Sequence, residues 1–218
     1  WSSDVCSSDL LRSAEMHPSD TKTGGMAGRN RPGAYWLLFT IHVADSSVRT
    51  GFLIYLPFLL RDKGADLPAI GLALSLLFAG GAAGKLVMGW VGQKLGVVSS
   101  VVLTEIATTA MILVALPLPL IATMAMLPLV GLVLNGTSSV LYGTVPEFVT
   151  AEKRTHAFAV FYTGGSVAGA AAPILFGMLG DHIGLAFALV CVAALALFTV
   201  PMVWALRPAF RAGGASLE

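Results

Sequence analysis

Six apolar stretches, each long enough to cross a bilayer, divide this chain and leave it few ways to fold. A transmembrane helix needs about 20 mostly apolar residues, and candidates run over 34–60, 67–91, 97–116, 119–144, 157–180 and 184–206. The breaks fall where Gly, Pro and charge collect: Arg61-Asp62-Lys63-Gly64, Gly92 to Gly96, Pro117-Leu118-Pro119, Pro146 to Arg154, and Gly180 to Gly184. Connections this short force neighbouring helices to run antiparallel. Hydrophobic residues make up 56% of the chain and Asp, Glu, Lys and Arg only 11%, where a soluble domain carries roughly a quarter of its residues charged. The expected class is an all-α integral membrane protein with the lipid bilayer as its main partner. The net charge is +1, with the charges clustered between spans, so nucleic acid is not an expected partner.

A repeat adds a second constraint. The segment Gly81 to Gly96, GAAGKLVMGWVGQKLG, returns as Gly169 to Gly184, GAAAPILFGMLGDHIG, with six of sixteen positions identical. Both copies run from an apolar helix into a tight turn. Three spans lie between the two turns, and an odd number of crossings puts them on opposite sides of a membrane. Six helices as two inverted three-helix repeats are the sequence trace of a secondary transporter.

The ends read differently. Residues 1–10, WSSDVCSSDL, are polar and match in order the translation of a widely used sequencing-adapter oligonucleotide. They are read as a non-native scar, which leaves Cys191 alone among native cysteines and excludes a disulfide. The scar also predicts a gene cut at its 5′ end. Residues 11–33 read as a basic cytoplasmic linker, 34–206 as the six-helix bundle and 207–218 as a cytoplasmic tail. With the N-terminus inside, Arg12, Lys22, Arg29, Arg31, Lys85, Lys94, Lys153, Arg154, Arg207 and Arg211 fall on or toward the cytoplasmic side. Arg61 and Lys63 alone fall outside, and Arg49 lies within the membrane. The positive-inside rule therefore places both termini in the cytoplasm.

Asp45 and Arg49 are the sharpest chemical signal. They lie near mid-bilayer, where an ionised side chain costs about 2.5–3.5 kcal/mol on insertion scales and needs a partner. The i, i+4 spacing allows them to pair directly, and His42 and Ser46 share their face. Two readings stand: a protonation site with His42 within relay distance, or a neutralised pair that lets the helix bury. Asn135, Ser138, Ser139 and Tyr142 form a second stripe by their offsets. They read either as substrate hydrogen-bonding groups or as packing glue between helices, and Tyr162, Thr163 and Ser166 carry the same two readings. Lys85 and Glu105 lie at similar depth on either side of the turn at Lys94 and are expected to form a structural ion pair. Gly80/Gly84 and Gly165/Gly169 are small-xxx-small pairs that permit close helix approach. Pro128 and Pro173 fall inside spans, where they kink helices. There is no zinc spacing, no phosphate-binding Gly-rich loop and no Ser/His/Asp set, so neither metal, cofactor nor enzymatic activity is expected.

Two segments carry a family resemblance. Pro146-Glu147-Phe148-Val149 through Lys153-Arg154, followed by Ala157 to Gly165, resembles a cytoplasmic loop and following helix in the C-terminal half of major facilitator superfamily transporters. Gly89-Trp90-Val91-Gly92-Gln93-Lys94-Leu95-Gly96 resembles that superfamily's loop signature. Arg49 to Leu53 and Leu134 to Gly143 are similar to bacterial drug-efflux members of the fosmidomycin-resistance type. The resemblance implies half of a twelve-helix fold, with a missing N-terminal six-helix half as partner and residence in the inner (plasma) membrane. It further implies that the first helix of each repeat lines a central cavity. Gly89, Gln93, Lys94, Gly96, Glu147, Arg154 and Asp181 become loop-signature or gate residues. One departure matters: the signature's Asp is Gln93 here, which brings no charge to the latch, while the other turn keeps its acid as Asp181, placed to cap the last span. The functional expectation is a proton-coupled exporter of small organic molecules, an antiporter working by alternating access. A non-transporting scaffold or receptor on the same fold, or an uptake permease, is the alternative.

Overall fold

The computed structural model describes residues 31–211, apart from the side chains of Gln93 and Arg211. The readings made for residues 1–30 and 212–218 lie outside the described residues. Six helices account for nearly all of the rest: α1 (Pro32–Asp62), α2 (Leu67–Leu95), α3 (Val97–Ala115), α4 (Leu120–Phe148), α5 (Arg154–Ile183) and α6 (Leu185–Arg211). Each is long and apolar enough to span a bilayer. Helices satisfy every interior backbone group within one segment, which an apolar solvent demands.

Boundaries follow local chemistry. Pro32 opens α1 at a position where a missing N–H costs nothing. Asp66 caps α2 by accepting from the Ala69 amide at 2.9 Å. The α1–α2 loop closes a different helix: Lys63 Nζ donates to the Leu116 carbonyl at 2.9 Å and to that of Leu118, at the C-terminal end of α3. A cation there meets the exposed carbonyls and the negative end of the helix dipole. One expected break lies elsewhere. Pro146 does not stop α4, which continues to Phe148 before Val149 turns extended. A kink, with local loss of one backbone bond, is tolerated where neighbouring helices support the segment.

The two repeat turns match in backbone as well as in sequence. Gly96 has φ 76° and ψ 160°, and Gly184 has φ 80° and ψ 161°. Only glycine occupies that region without strain. Gly96→Ala and Gly184→Ala are each expected to destabilise the protein by about 1–3 kcal/mol, read as a lowered thermal unfolding midpoint in detergent. A second substitution at Gly89, where an added Cβ meets open space, should have little effect.

Packing repeats the same symmetry. α2 lies on α4 and α5 on α1; α3 lies on α4 and α6 on α1; α3 meets α6, and α1 meets α4. Exchanging the first three helices for the last three maps every one of these contacts onto another or onto itself. Two antiparallel three-helix units related in this way are inverted repeats. The symmetry is imperfect at one seam. An added Cβ at Gly80 would strike the Pro128 carbonyl, at Gly84 that of Leu132, and at Gly131 that of Leu77. The backbones of α2 and α4 are therefore in direct contact. Across the α1–α5 seam, Gly165 and Gly169 instead face the side chains of His42 and Thr50.

The core is layered along the membrane normal. One apolar cluster gathers Phe52, Leu56, Leu77, Ile112, Leu127 and Leu189. A second gathers Leu38, Ile41, Val101, Leu141, Phe161 and Phe210. Between them lies a buried polar belt that includes His42, Asp45, Ser46, Thr104, Glu105, Thr108, Thr137, Ser138 and Thr199.

Candidate functional site

Asp45 sits about 20 Å along α1 from its N-terminal end at 1.5 Å per residue, in the middle of the polar belt and only 3% exposed. It does not pair directly with Arg49. Arg49 Nη1 donates to Ser138 Oγ at 2.6 Å, and Ser138 Oγ donates to Asp45 Oδ2 at 2.9 Å. A hydroxyl from α4 thus stands between the cation and the carboxylate, accepting from one and donating to the other. It can do so because a serine oxygen offers both a proton and lone pairs, and because α1 and α4 meet at this level. Arg49 Nη2 also donates to Ser46 Oγ at 3.3 Å, and Ser46 donates to the Gly165 carbonyl on α5 at 2.8 Å. One guanidinium therefore links three helices.

His42 shares the expected face but makes no hydrogen bond to Asp45. Its ring stacks on Phe161, with centroids 4.1 Å apart and planes 11° apart, and meets the Tyr142 ring edge-on at 5.0 Å. Both ring nitrogens are buried without a protein hydrogen-bond partner. A cleft of about 300 Å³ opens beside this group, lined by His42, Ser46, Arg49, Thr50, Tyr142, Tyr162, Gly165, Ser166 and Gly169. Its walls come from α1, α4 and α5. On the opposite side of the α1–α5 seam lies a groove lined by Phe39, Val43, Val160, Val167 and other mostly apolar residues. The seam has one polar and one apolar edge.

The second stripe divides. Ser138 and Tyr142 face α1 and belong to the site. Asn135 hydrogen-bonds the Gly131 carbonyl of its own helix at 3.2 Å, and its amide packs where a Cβ on Gly81 of α2 would lie. Ser139 lines a separate cleft with Met88, Gly89, Gly92 and Glu147. Neighbouring residues are 100° apart on a helix, so Ser138 and Ser139 cannot both face α1. Tyr162 is 65% exposed and lines the cleft with Ser166; Thr163 faces the apolar edge.

The expected Lys85–Glu105 ion pair is absent. Lys85 is exposed on α2, whereas Glu105 is buried in α3. The two helices adjoin in sequence, but α2 packs chiefly on α4 and α3 on α6 and α4, which turns the two side chains apart. Glu105 instead lies beside Thr199 of α6 and within electrostatic range of Asp45, and its Oε1 has no hydrogen-bond partner. This second buried carboxyl was readable from its spacing, because Glu105, Thr108 and Thr109 fall at i, i+3 and i+4 on one helix face.

At the expected cytoplasmic end, the cleft holding Glu147 with Gly89 and Gly92 brings the end of α4 against the signature turn. Lys94 covers the Trp90 ring at 4.0 Å. Gln93 falls within α2, with its side chain outside the described residues, and Arg154 opens α5. Asp181 does not cap α6. It lies in the last turn of α5, exposed, and Gly184 makes the junction. The repeat explains this, since Gln93 and Asp181 occupy equivalent places before equivalent glycines.

Six membrane-length helices in two inverted units, with charged groups buried at mid-span beside a polar cleft, define a multi-pass membrane protein of the transporter class. The Major Facilitator Superfamily model matches residues 37–217. The chain belongs to the Major Facilitator Superfamily, and hence to a family of membrane transporters rather than enzymes. No individual curated protein matches the chain.

Proposed function

We propose that this chain forms the C-terminal six-helix half of a proton-coupled transporter of small organic molecules, working by alternating access. The observation that carries the reading is the Arg49–Ser138–Asp45 link. It joins α1 to α4, the first helices of the two repeats, and lies beside an open polar cleft. Solute that draws the guanidinium toward the cleft removes the cation that compensates Asp45. A buried carboxylate left without its partner is costly, and it neutralises by taking up a proton. Return of Arg49 to Ser138 releases that proton. Solute and proton thereby load the site together, so the relay couples their movement in one direction. Export, the direction suggested by the likeness of Arg49 to Leu53 and Leu134 to Gly143 to drug-efflux members, would require the reverse linkage, in which solute enters as the proton leaves.

The exposed apolar faces fit an absent partner. Leu86, Val167, Ile174 and Leu175 stand well exposed on α2 and α5, the helices that would meet an N-terminal six-helix half across the cavity. Gly89, Gly92 and Glu147 would form the cytoplasmic gate, with both termini on that side.

Reconstituted protein from the full gene tests the reading: an imposed pH gradient is expected to drive solute flux, and collapse of the gradient to stop it. Flux that ignores the gradient counts against coupling. A non-transporting scaffold is separated by thiol labelling. Ser166→Cys, on the cleft wall, should react with a membrane-impermeant maleimide and be protected by solute, whereas a scaffold with no aqueous path predicts no reaction.

A further inference from the structure

We infer that the cleft between α1, α4 and α5 is an oxyanion site, taking the anionic head group of a small organic acid on Arg49. This rests on reading the cleft as the transporter's solute site. Three observations point the same way. First, the charge facing the cleft is positive: among the described residues Arg49 lines it, no acidic residue does, and Asp45 stands behind Ser138. A cationic solute would meet a guanidinium with no carboxylate in reach.

Second, the cleft is rich in unused donors. Arg49 has five N–H groups, and its protein hydrogen bonds go to Ser138 and Ser46. The remaining fork matches carboxylate geometry. The hydroxyls of Tyr142, Tyr162 and Ser166 add donors on the same walls. Third, the wall beside Arg49 is aromatic: the His42 ring, stacked on Phe161 with its Nε2 turned onto the Gly165 backbone, is flanked by Tyr142 and Tyr162. The Tyr142 and Tyr162 rings that line the cleft suit an organic body of aromatic or apolar character.

Four probes sharing one phenyl ring isolate the charge: benzoate, phenylphosphonate, benzyl alcohol and phenyltrimethylammonium. Protein from the full gene is titrated in detergent at a single neutral pH, and binding is read by calorimetry. No gradient is present, so failure of proton coupling leaves this result unaffected. At least one of the two anions should bind, with the alcohol and the cation weaker by about tenfold or more, the equivalent of one charge-assisted hydrogen bond. Arg49→Gln should remove that preference, and Arg49→Lys should restore part of it. Should Arg49→Gln fail to fold, Tyr162→Phe combined with Ser166→Ala leaves the buried relay intact and is expected to weaken anion binding about threefold or more. Binding of phenyltrimethylammonium as tight as that of the anions, binding of none of the probes, or anion affinity unchanged in the Arg49 and Tyr162/Ser166 variants overturns the inference.

Discussion

Asp45→Asn is expected to lower pH-gradient-driven solute flux by on the order of 100-fold, the low end of what a positioned proton-transfer group contributes. The substitution is nearly isosteric, and the amide still accepts the hydrogen bond from Ser138. Fold and cleft are therefore retained. What disappears is the negative charge that Arg49 compensates through Ser138 Oγ, and with it the site that alternates between ionised and protonated states. Solute-for-solute exchange, which needs no net proton movement, is expected to fall far less. The comparison of driven flux with exchange, made in proteoliposomes at matched protein density, separates loss of coupling from loss of binding. Glu105 provides the contrast. It is buried near Asp45 but lies away from the cleft lining. Glu105→Gln should leave driven flux well above that of Asp45→Asn.

The second large effect is structural. Gly131→Leu is expected to prevent accumulation of folded protein. At this residue an added Cβ would run into the Leu77 carbonyl and come within 2.9 Å of the Gly81 amide nitrogen. Those atoms are backbone of α2 and cannot swing aside as a side chain can. Overpacking a close-fitting core costs about 1–3 kcal/mol where side chains yield, and a leucine wedged between two backbones must separate the helices along their length. Separation would expose Asn135 and break the Gly80–Pro128 and Gly84–Leu132 approaches together. Gly143→Leu on the same helix is the control, since an added Cβ there meets open space. Monodisperse elution and a cooperative thermal transition for Gly143→Leu, with neither for Gly131→Leu, is the predicted pair of results.

Much of this architecture was legible in the chain. Apolar length set the six helices because a bilayer admits few alternatives, and the Gly81–Gly96 repeat foretold turns that share one glycine-only conformation. The small-xxx-small spacing marked Gly80/Gly84 and Gly165/Gly169 alike, yet only the first pair meets the backbone of a neighbouring helix. Helix ends were less readable: Pro146 looked like a stop but is carried within α4 by its neighbours. Lateral contacts were least readable. Sequence adjacency suggested that Lys85 answers Glu105, yet α2 and α3 each pack mainly on other helices. Offsets along α4 put Asn135, Ser138, Ser139 and Tyr142 on one face, yet they divide between α1, α2 and a separate cleft, because which neighbour each meets depends on helices far away in the chain. The Asp45–Arg49 spacing was right about the shared face and silent about Ser138, whose hydroxyl comes from a helix about 90 residues on.

The central claim, that solute drawing Arg49 away makes Asp45 accept a proton, has a direct test. Purified protein from the full gene is placed in weak buffer with a pH indicator, and solute is added without any membrane gradient. Uptake of protons on solute binding, present in the parent and lost in Asp45→Asn, is the predicted result. Binding that moves no proton, or moves the same amount in Asp45→Asn, would contradict it.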